Sequence, residues 1–249
     1  MNRILFSAEE VQPDGTVTLS DFRAEHIRNV LRADVGDTVR TGTLNGLIGT
    51  SRIERMDADS IRLTTCHAHH APEPWIDLML ATPRPKVLRR LWPQLTALGV
   101  GRIVILNAFK VEKCYFSSQW LDPAFYTPLL IEGLMQAGNT RLPEVHIKPR
   151  FKPFVEDELD TMFPTSARLL AHPKVAHGVP AMPCHAPVGS NKLRPVLAIG
   201  PEGGWTDFEM RLLTEKGFTP FSLGARTLRT DTATIALIAA LMLQYAPTT

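Results

Sequence analysis

Val196-Leu197-Ala198-Ile199-Gly200-Pro201-Glu202-Gly203-Gly204-Trp205-Thr206-Asp207-Phe208-Glu209 decides how this chain is read. An apolar run of strand length enters a glycine turn, and a helix starts at once. Thr206 and Glu209 have the spacing of a capping box, in which each side chain satisfies the other residue's main-chain N–H. Such a turn carries free N–H groups and the positive end of a helix to the carboxyl edge of a sheet, where open α/β sheets bind ligands. Glycine lets the main chain come close to a ligand, because no Cβ intervenes. A strand–helix turn without a ligand would use the same glycines, so this stretch alone leaves both readings open. It is no phosphate loop, since no Lys follows, and the G-x-G-x-x-G fingerprint is incomplete.

A second strand–glycine–helix sequence follows: Phe221-Ser222-Leu223-Gly224-Ala225-Arg226-Thr227-Leu228-Arg229-Thr230-Asp231-Thr232-Ala233. The helix expected from Asp231 to Gln244 is apolar on nearly every side, which argues burial on every side, either partly against a partner subunit or as a central core helix of a monomer. Upstream, Arg168–Ala171 and Val196–Ile199 read as buried strands. So do Trp75–Ala81 and Arg102–Leu106, with a helix of spacing Leu88, Leu91, Trp92, Leu95, Leu98 between them, kinked or broken at Pro93. Phe125–Ala137 reads as another helix. Strands alternating with helices predict an α/β domain with a mostly parallel sheet. Residues 172–195, rich in Pro and Gly, are expected to form a long loop.

Residues 1–70 have another rhythm. Short strands are expected at Ile4–Phe6, Val17–Leu19, Asp37–Leu44, Leu47–Ile53 and Ser60–Thr65, with one helix near Ala24–Leu31 and a hairpin turn at Asn45-Gly46. This predicts a small β-barrel-like domain over 1–70. Ala71-Pro72-Glu73-Pro74 reads as a linker, and the second domain as 75–249.

The composition excludes little. Over 249 residues, 44% are hydrophobic and 21% charged, as in ordinary globular proteins. No stretch has the length of a membrane span, and the N-terminus lacks the marks of a signal peptide. The three Cys residues are far apart, which fits a reducing cytoplasm and no disulfide framework. Net charge is only +2, but Arg84, Lys86, Arg89, Arg90 and Lys148, Arg150, Lys152 are clusters that could contact phosphates or line a solvated face. Cys66-His67-Ala68-His69-His70 lacks a second ligand pair at zinc spacing and is read as a polar linker, so no metal is expected.

Four ordered blocks together resemble the RsmE family of SPOUT methyltransferases. They are Gly200-Pro201-Glu202-Gly203-Gly204, then Leu223-Gly224-x-x-x-Leu228-Arg229-Thr230-x-Thr232-Ala233, Gln136-x-Gly138-x-x-Arg141-x-Pro143 with Leu98-Gly99-Val100, and His26-x-x-x-Val30-Leu31-Arg32 before Gly36-Asp37. The resemblance implies a SPOUT α/β knot, in which the C-terminal segment makes a deep trefoil knot, preceded by a PUA-like RNA-binding barrel. It implies a cytoplasmic homodimer joined through the last helix. It implies S-adenosylmethionine as cofactor and N3 of a uridine in 16S ribosomal RNA, on the small ribosomal subunit, as the methyl acceptor.

By match, the cofactor lies against three loops: Leu170, Ala171 and His172; Ile199, Gly200, Pro201, Glu202, Gly203 and Gly204; and Ser222, Leu223, Gly224, Thr227 and Leu228. Arg141 and Arg229 would stabilise RNA phosphate or the developing uracil anion, and Glu202 or Asp231 would accept the proton. Arg3, Arg28, Arg32, Arg84, Lys86, Arg89 and Arg141 are the expected RNA contacts. The chain departs from the family pattern at Ala97 (Glu in the pattern), Asn139 (Arg), Asp231 (Glu) and Trp205 (Phe), which leaves open a divergent branch with another RNA target. A non-catalytic RNA-binding protein of the same fold is the other alternative. Ribose methylation is disfavoured, since the N-x-G-x-x-x-R segment used in related families is absent.

Overall fold

The computed structural model describes residues 2–164, 166–173 and 194–245. They form two compact units, Met1–Glu73 with Leu130–Leu142, and Pro74–Leu129 with Pro143–Thr249. The sequence reading placed Leu130–Leu142 in the second domain, because it set the one boundary at the Ala71-Pro72-Glu73-Pro74 stretch. The side chains decide otherwise: Leu134 and Met135 pack on Leu5, and the Asn2 and Arg3 N–H groups both donate to the Met135 carbonyl.

In the first unit, β1 (Ile4–Phe6), β2 (Thr16–Leu19), β3 (Thr38–Thr43), β4 (Leu47–Met56) and β5 (Ile61–His70) form a five-stranded sheet of order β1-β3-β4-β5-β2. Val17, Leu19, Val39, Ile53, Ile61 and Leu63 alternate with polar residues, as half-buried strands require, and share one core with Ile4 and Phe6, while Leu5 between these two packs on Leu134 and Met135. Side chains from both edge strands meet in that core, so the sheet is curled, although β1 and β2 are not paired among the described residues. The 66–70 segment is strand, not linker: Gly49 pairs with His67 and Leu47 with His70. A helix, α1 (Phe22–His26), starts earlier than expected because Asp21 caps it, accepting from the Arg23 N–H at 2.9 Å. It continues as one wide turn over Ile27–Leu31 and stops at Arg32 in the left-handed region, φ 52°.

The second unit is α/β. Its strands β6 (Ile76–Ala81), β7 (Val100–Leu106), β8 (Glu144–Lys148), β9 (Arg168–Ala171), β10 (Val196–Ile199) and β11 (Thr219–Phe221) form a six-stranded sheet of order β11-β9-β10-β6-β7-β8. Every adjacent pair is parallel. Both faces are covered, as parallel sheets require. On one face Met79, Val104, Leu170 and Ala198 pack with Phe154, Leu159, Phe163 and Leu213. These last come from α5 (Leu159–Met162), α6 (Asp207–Glu215) and the turns around α4 (Phe151–Pro153). The alternate residues Leu78, Leu80, Ile103 and Leu197 are buried on the other face, and α2 (Pro85–Ala97) contacts β7 and α7 (Thr230–Tyr245).

Another helix, α3 (Pro123–Ala137), carries Pro128 in its interior. Of the kink or break expected at Pro93, the break does not occur: α2 runs through it. The carbonyl that loses its partner there is that of Arg89, an exposed residue, so solvent can satisfy it. The sequence reading did not foresee β8 or the 151–162 helices. The expected loop falls mostly on residues 174–193, outside the described residues.

Candidate cofactor site

Because all six strands run the same way, the loops that follow them leave at one edge. There, three segments enclose a cavity of about 360 Å³: Ala171–Pro173 after β9, the glycine turn after β10, and Phe221–Thr230 after β11. This volume suits a small organic ligand. Of the expected cofactor residues, Ala171, His172, Ile199, Gly200, Pro201, Glu202, Gly204, Ser222, Leu223, Thr227 and Leu228 line the cavity. Leu170, Gly203 and Gly224 do not. Leu170 is fully buried and points into the sheet core, because side chains alternate along a strand. Gly203 faces Lys110 instead, where a Cβ would lie 3.0 Å from the lysine Cδ. The residues that sequence reasoning missed are Pro173, Trp205, Phe221, Arg226, Thr230, Ala233 and Leu237. The last two sit in the first turns of α7, where the apolar pattern read only as core.

The glycine turn is held from several sides. Gly204, at φ +69°, closes a turn in which its N–H donates to the Pro201 carbonyl at 2.8 Å. Gly200 lies on the Trp205 indole, and any Cβ there would stand 3.1 Å from the indole nitrogen. Trp205 is buried against Phe151 with its indole N–H unpartnered among the described residues. The capping box is present: Thr206 accepts from the Glu209 N–H at 3.2 Å, and Glu209 accepts from the Thr206 N–H at 2.8 Å. Glu209 is only 2% exposed. Its other oxygen accepts from the Phe109 N–H at 2.8 Å, so this buried carboxylate also ties the loop after β7 to α6.

Three of the four expected catalytic residues belong to the second unit. Glu202 is exposed; one oxygen accepts the Arg84 N–H, at the start of α2, at 3.3 Å, and the other has no hydrogen bond among the described residues. Asp231 stands 3.2 Å from Arg90 and 3.7 Å from Arg229, so it bridges two cations in the first turn of α7. Arg229 lines the cavity with its side chain 73% exposed. Arg141 is not brought to the cavity wall. It lies in the first unit, where it pairs with Glu73 at 2.6 Å. Asn139 makes a local turn there, its side-chain oxygen accepting the Thr140 and Arg141 N–H groups while its amide donates to the Pro72 carbonyl.

The expected RNA contacts divide in the same way. Arg3 uses its guanidinium on the Gly138, Thr41 and Gly49 carbonyls, and burial with the nearby Arg40 lowers its pKa. Arg28 donates to the Asp57 and Ser60 carbonyls. Both are structural arginines that bridge strands or turns. Arg32, Arg84, Lys86 and Arg89 are exposed, with Arg89 lying 5.2 Å over the Trp120 ring. Among the described residues no three His, Cys, Asp or Glu form a metal cluster, and no helix is long and apolar enough to cross a membrane.

Comparisons with known proteins agree with this geometry. Residues 71–242 match the family model described as an RNA methyltransferase domain. The ribosomal RNA small subunit methyltransferase E of Treponema pallidum is 30% identical over 97% of this chain and 91% of its own length. The crystal structure of a ribosomal RNA small subunit methyltransferase E from Neisseria gonorrhoeae, bound to S-adenosyl methionine, superposes with a TM-score of 0.69 at 23% identity, covering 98% of this chain and 97% of that one. A Legionella pneumophila protein in complex with the bound cofactor SAM has a TM-score of 0.64 at 26% identity, covering 97% of each chain.

Proposed function

The chain belongs to the ribosomal RNA small subunit methyltransferase E family, of SPOUT fold, and on that premise we propose that it methylates N3 of a uridine in 16S ribosomal RNA. The observation that carries this reading is the meeting of three loops, distant in sequence, at one cavity on the carboxyl edge of the sheet.

The cavity fits S-adenosylmethionine. Leu223, Leu228, Leu237 and Pro201 offer apolar surface for a flat ring, the glycine turn offers main chain with no side chain in the way, and Glu202, Arg226 and Arg229 are polar groups at its exposed mouth. When bound, the cofactor supplies an electrophilic methyl carbon on a sulfonium sulfur. This chain's part is then to align and to handle charge. Uracil N3 becomes nucleophilic only when its proton leaves. The Glu202 oxygen that Arg84 leaves free takes that proton, and Arg229, aimed by Asp231, stabilises the negative charge on the ring; transfer of the methyl group to N3 would break its bond to sulfur and leave the sulfur as a neutral thioether. N3 lies on the pairing edge of uracil, so the nucleotide must be unpaired or flipped.

The first unit serves as a PUA-like RNA-binding domain, with Arg32 beside a cleft that Leu31 and Arg40 also line. Arg84, Lys86 and Arg89 contact RNA phosphates from the second unit. Ile235, Ala239, Met242 and Leu243 fall on one side of α7 and are incompletely buried, Leu243 at 91% exposure. A second copy of the chain covers this stripe in a homodimer. The protein acts in the cytoplasm on the small ribosomal subunit.

Incubation with small-subunit rRNA and S-adenosylmethionine, followed by nucleoside mass spectrometry, is expected to yield 3-methyluridine. Glu202→Gln should lower the rate on the order of a hundredfold. A methyl group on ribose, or undiminished turnover by Glu202→Gln, would refute the base and acceptor assignments respectively.

A further inference from the structure

Phe109, in the loop after β7, combines a free side chain with a fixed main chain. The residue is 84% exposed. Its N–H is held by the buried Glu209 carboxylate at 2.8 Å, the same group that closes the capping box of α6. The next residue, Lys110, donates from Nζ to the Gly203 carbonyl at 2.9 Å, and its methylenes lie on Gly203. Since β7, β6 and β10 are parallel neighbours, this loop leaves the sheet on the same edge as the glycine turn. Two clamps therefore fix the main chain that carries this exposed phenyl ring to the elements that form the turn bordering the cavity. A single exposed apolar side chain is ordinary on a protein surface. One whose backbone is locked to the cofactor turn by a buried carboxylate is placed with a precision that surface exposure does not require.

We propose that Phe109 contacts the substrate, stacking on a nucleobase of the RNA strand next to the target uridine. The inference rests on the RNA-methylation reading and deepens it. A nucleotide presented for chemistry on its pairing edge leaves the helical stack, and neighbouring bases lose a stacking partner with it. An aromatic face replaces that partner for any base, so Phe109 selects for an unpaired strand and not for a base identity. Exposed Arg84, Lys86 and Arg89 belong to the same unit and favour a polyanion over an apolar protein surface. Glu209 acts through Phe109 and is a positioning residue.

The test compares Phe109→Ala, Phe109→Trp and Phe109→Leu in the full chain. It measures steady-state methylation of small-subunit rRNA, S-adenosylmethionine affinity by calorimetry, and oligomeric state by light scattering. Phe109→Ala should raise KM for RNA by about tenfold with cofactor affinity and oligomeric state unchanged. Phe109→Trp should restore KM and Phe109→Leu should not. Glu209→Gln should raise KM in the same direction, with little further rise when combined with Phe109→Ala. An unchanged KM in Phe109→Ala, full rescue by Leu, or a changed oligomeric state would each overturn the proposal. If the wild-type chain methylated no RNA, the function reading itself would fail. The emission of the F109W variant would then still decide stacking, since quenching by single-stranded RNA supports it and no response refutes it.

Discussion

The two lips of the cavity are built differently. The lip after β10 is braced from beneath by Trp205, from the side by Lys110, and at its end by Glu209, a carboxylate with three donors at 2.8 to 2.9 Å. In the lip after β11, Ser222–Arg229, the hydrogen bonds outside helices and strands are few among the described residues: a Ser222–Gly224 turn, with the Ser222 hydroxyl 3.1 Å from both the Gly224 N–H and its carbonyl, and at its end the Arg229 carbonyl accepting from the Ala233 N–H at 2.7 Å. Leu223 and Leu228 stay exposed at 41% and 38%. The braced lip carries its own structural cost in buried polar groups: Glu209 is paired on both oxygens, while the Trp205 indole N–H has no partner among the described residues. The open lip leaves apolar side chains in water, which a ligand with a flat ring would cover. On the proposed function, one lip sets geometry and the other supplies affinity.

The largest expected effect lies on the open lip. Arg229→Ala should lower the methyl-transfer rate by about a hundredfold or more, as loss of one charge-stabilising donor does, while cofactor affinity measured by calorimetry barely changes. A parallel loss of cofactor affinity would move Arg229 from the chemistry to the cofactor. The next effect breaks the braced lip. Glu209→Gln leaves one of the donors facing an amide N–H, at about 2 kcal/mol, and should lower Tm by on the order of 5 °C. Ser222→Ala on the other lip should shift Tm by less than about 1 °C. Equal shifts would erase the distinction between the lips.

A smaller effect is expected from Asp231→Asn. The carboxylate bridges Arg90 and Arg229 at 3.2 and 3.7 Å with partly exposed side chains, and such pairs are weak. The rate should fall about threefold, and Arg90→Ala should reproduce the loss. The smallest effect lies outside the lips. His67 has burial and then Arg3 holding its pKa below the ordinary 6.5, and its two nitrogens face the Thr41 and Thr43 hydroxyls. The unfolded chain therefore binds more protons than the folded one between 6.5 and the lower folded value. Its contribution is full above pH 6.5 and lost as pH falls below it. Thermal melts should show a shallow loss there that His67→Gln removes.

Much of this fold is legible in the sequence, because local chemistry and tertiary packing agree. β1, β9 and β10 fall where apolar runs bounded by turn residues put them, and the Thr206–Glu209 box starts α6 where its spacing says. Disagreement arises where packing overrides pattern. Leu130–Leu142 continues a helix begun in one unit but buries Leu134 and Met135 in the other. Cys66–His70 has the polar look of a linker, yet main-chain pairing with β4 does not depend on side-chain polarity. For the site, glycine turns and flanking residues could be named, because their backbone needs are written in Gly and Pro. Ala233 and Leu237 could not, since nothing local separates an apolar residue facing a cavity from one facing a core. Arg3 and Arg28 show the converse: arginine reads as a phosphate ligand until the carbonyls it satisfies are in view.

The account depends on a methyl-donor site between the two lips. Calorimetric titration of S-adenosylmethionine into the wild-type chain and into Leu223→Trp, which fills the open lip's side of the cavity, tests it most directly. Saturable binding of one molecule per wild-type chain, weakened by about tenfold or more in the variant, is the predicted result. No binding to the wild type, or equal binding to both, would contradict it.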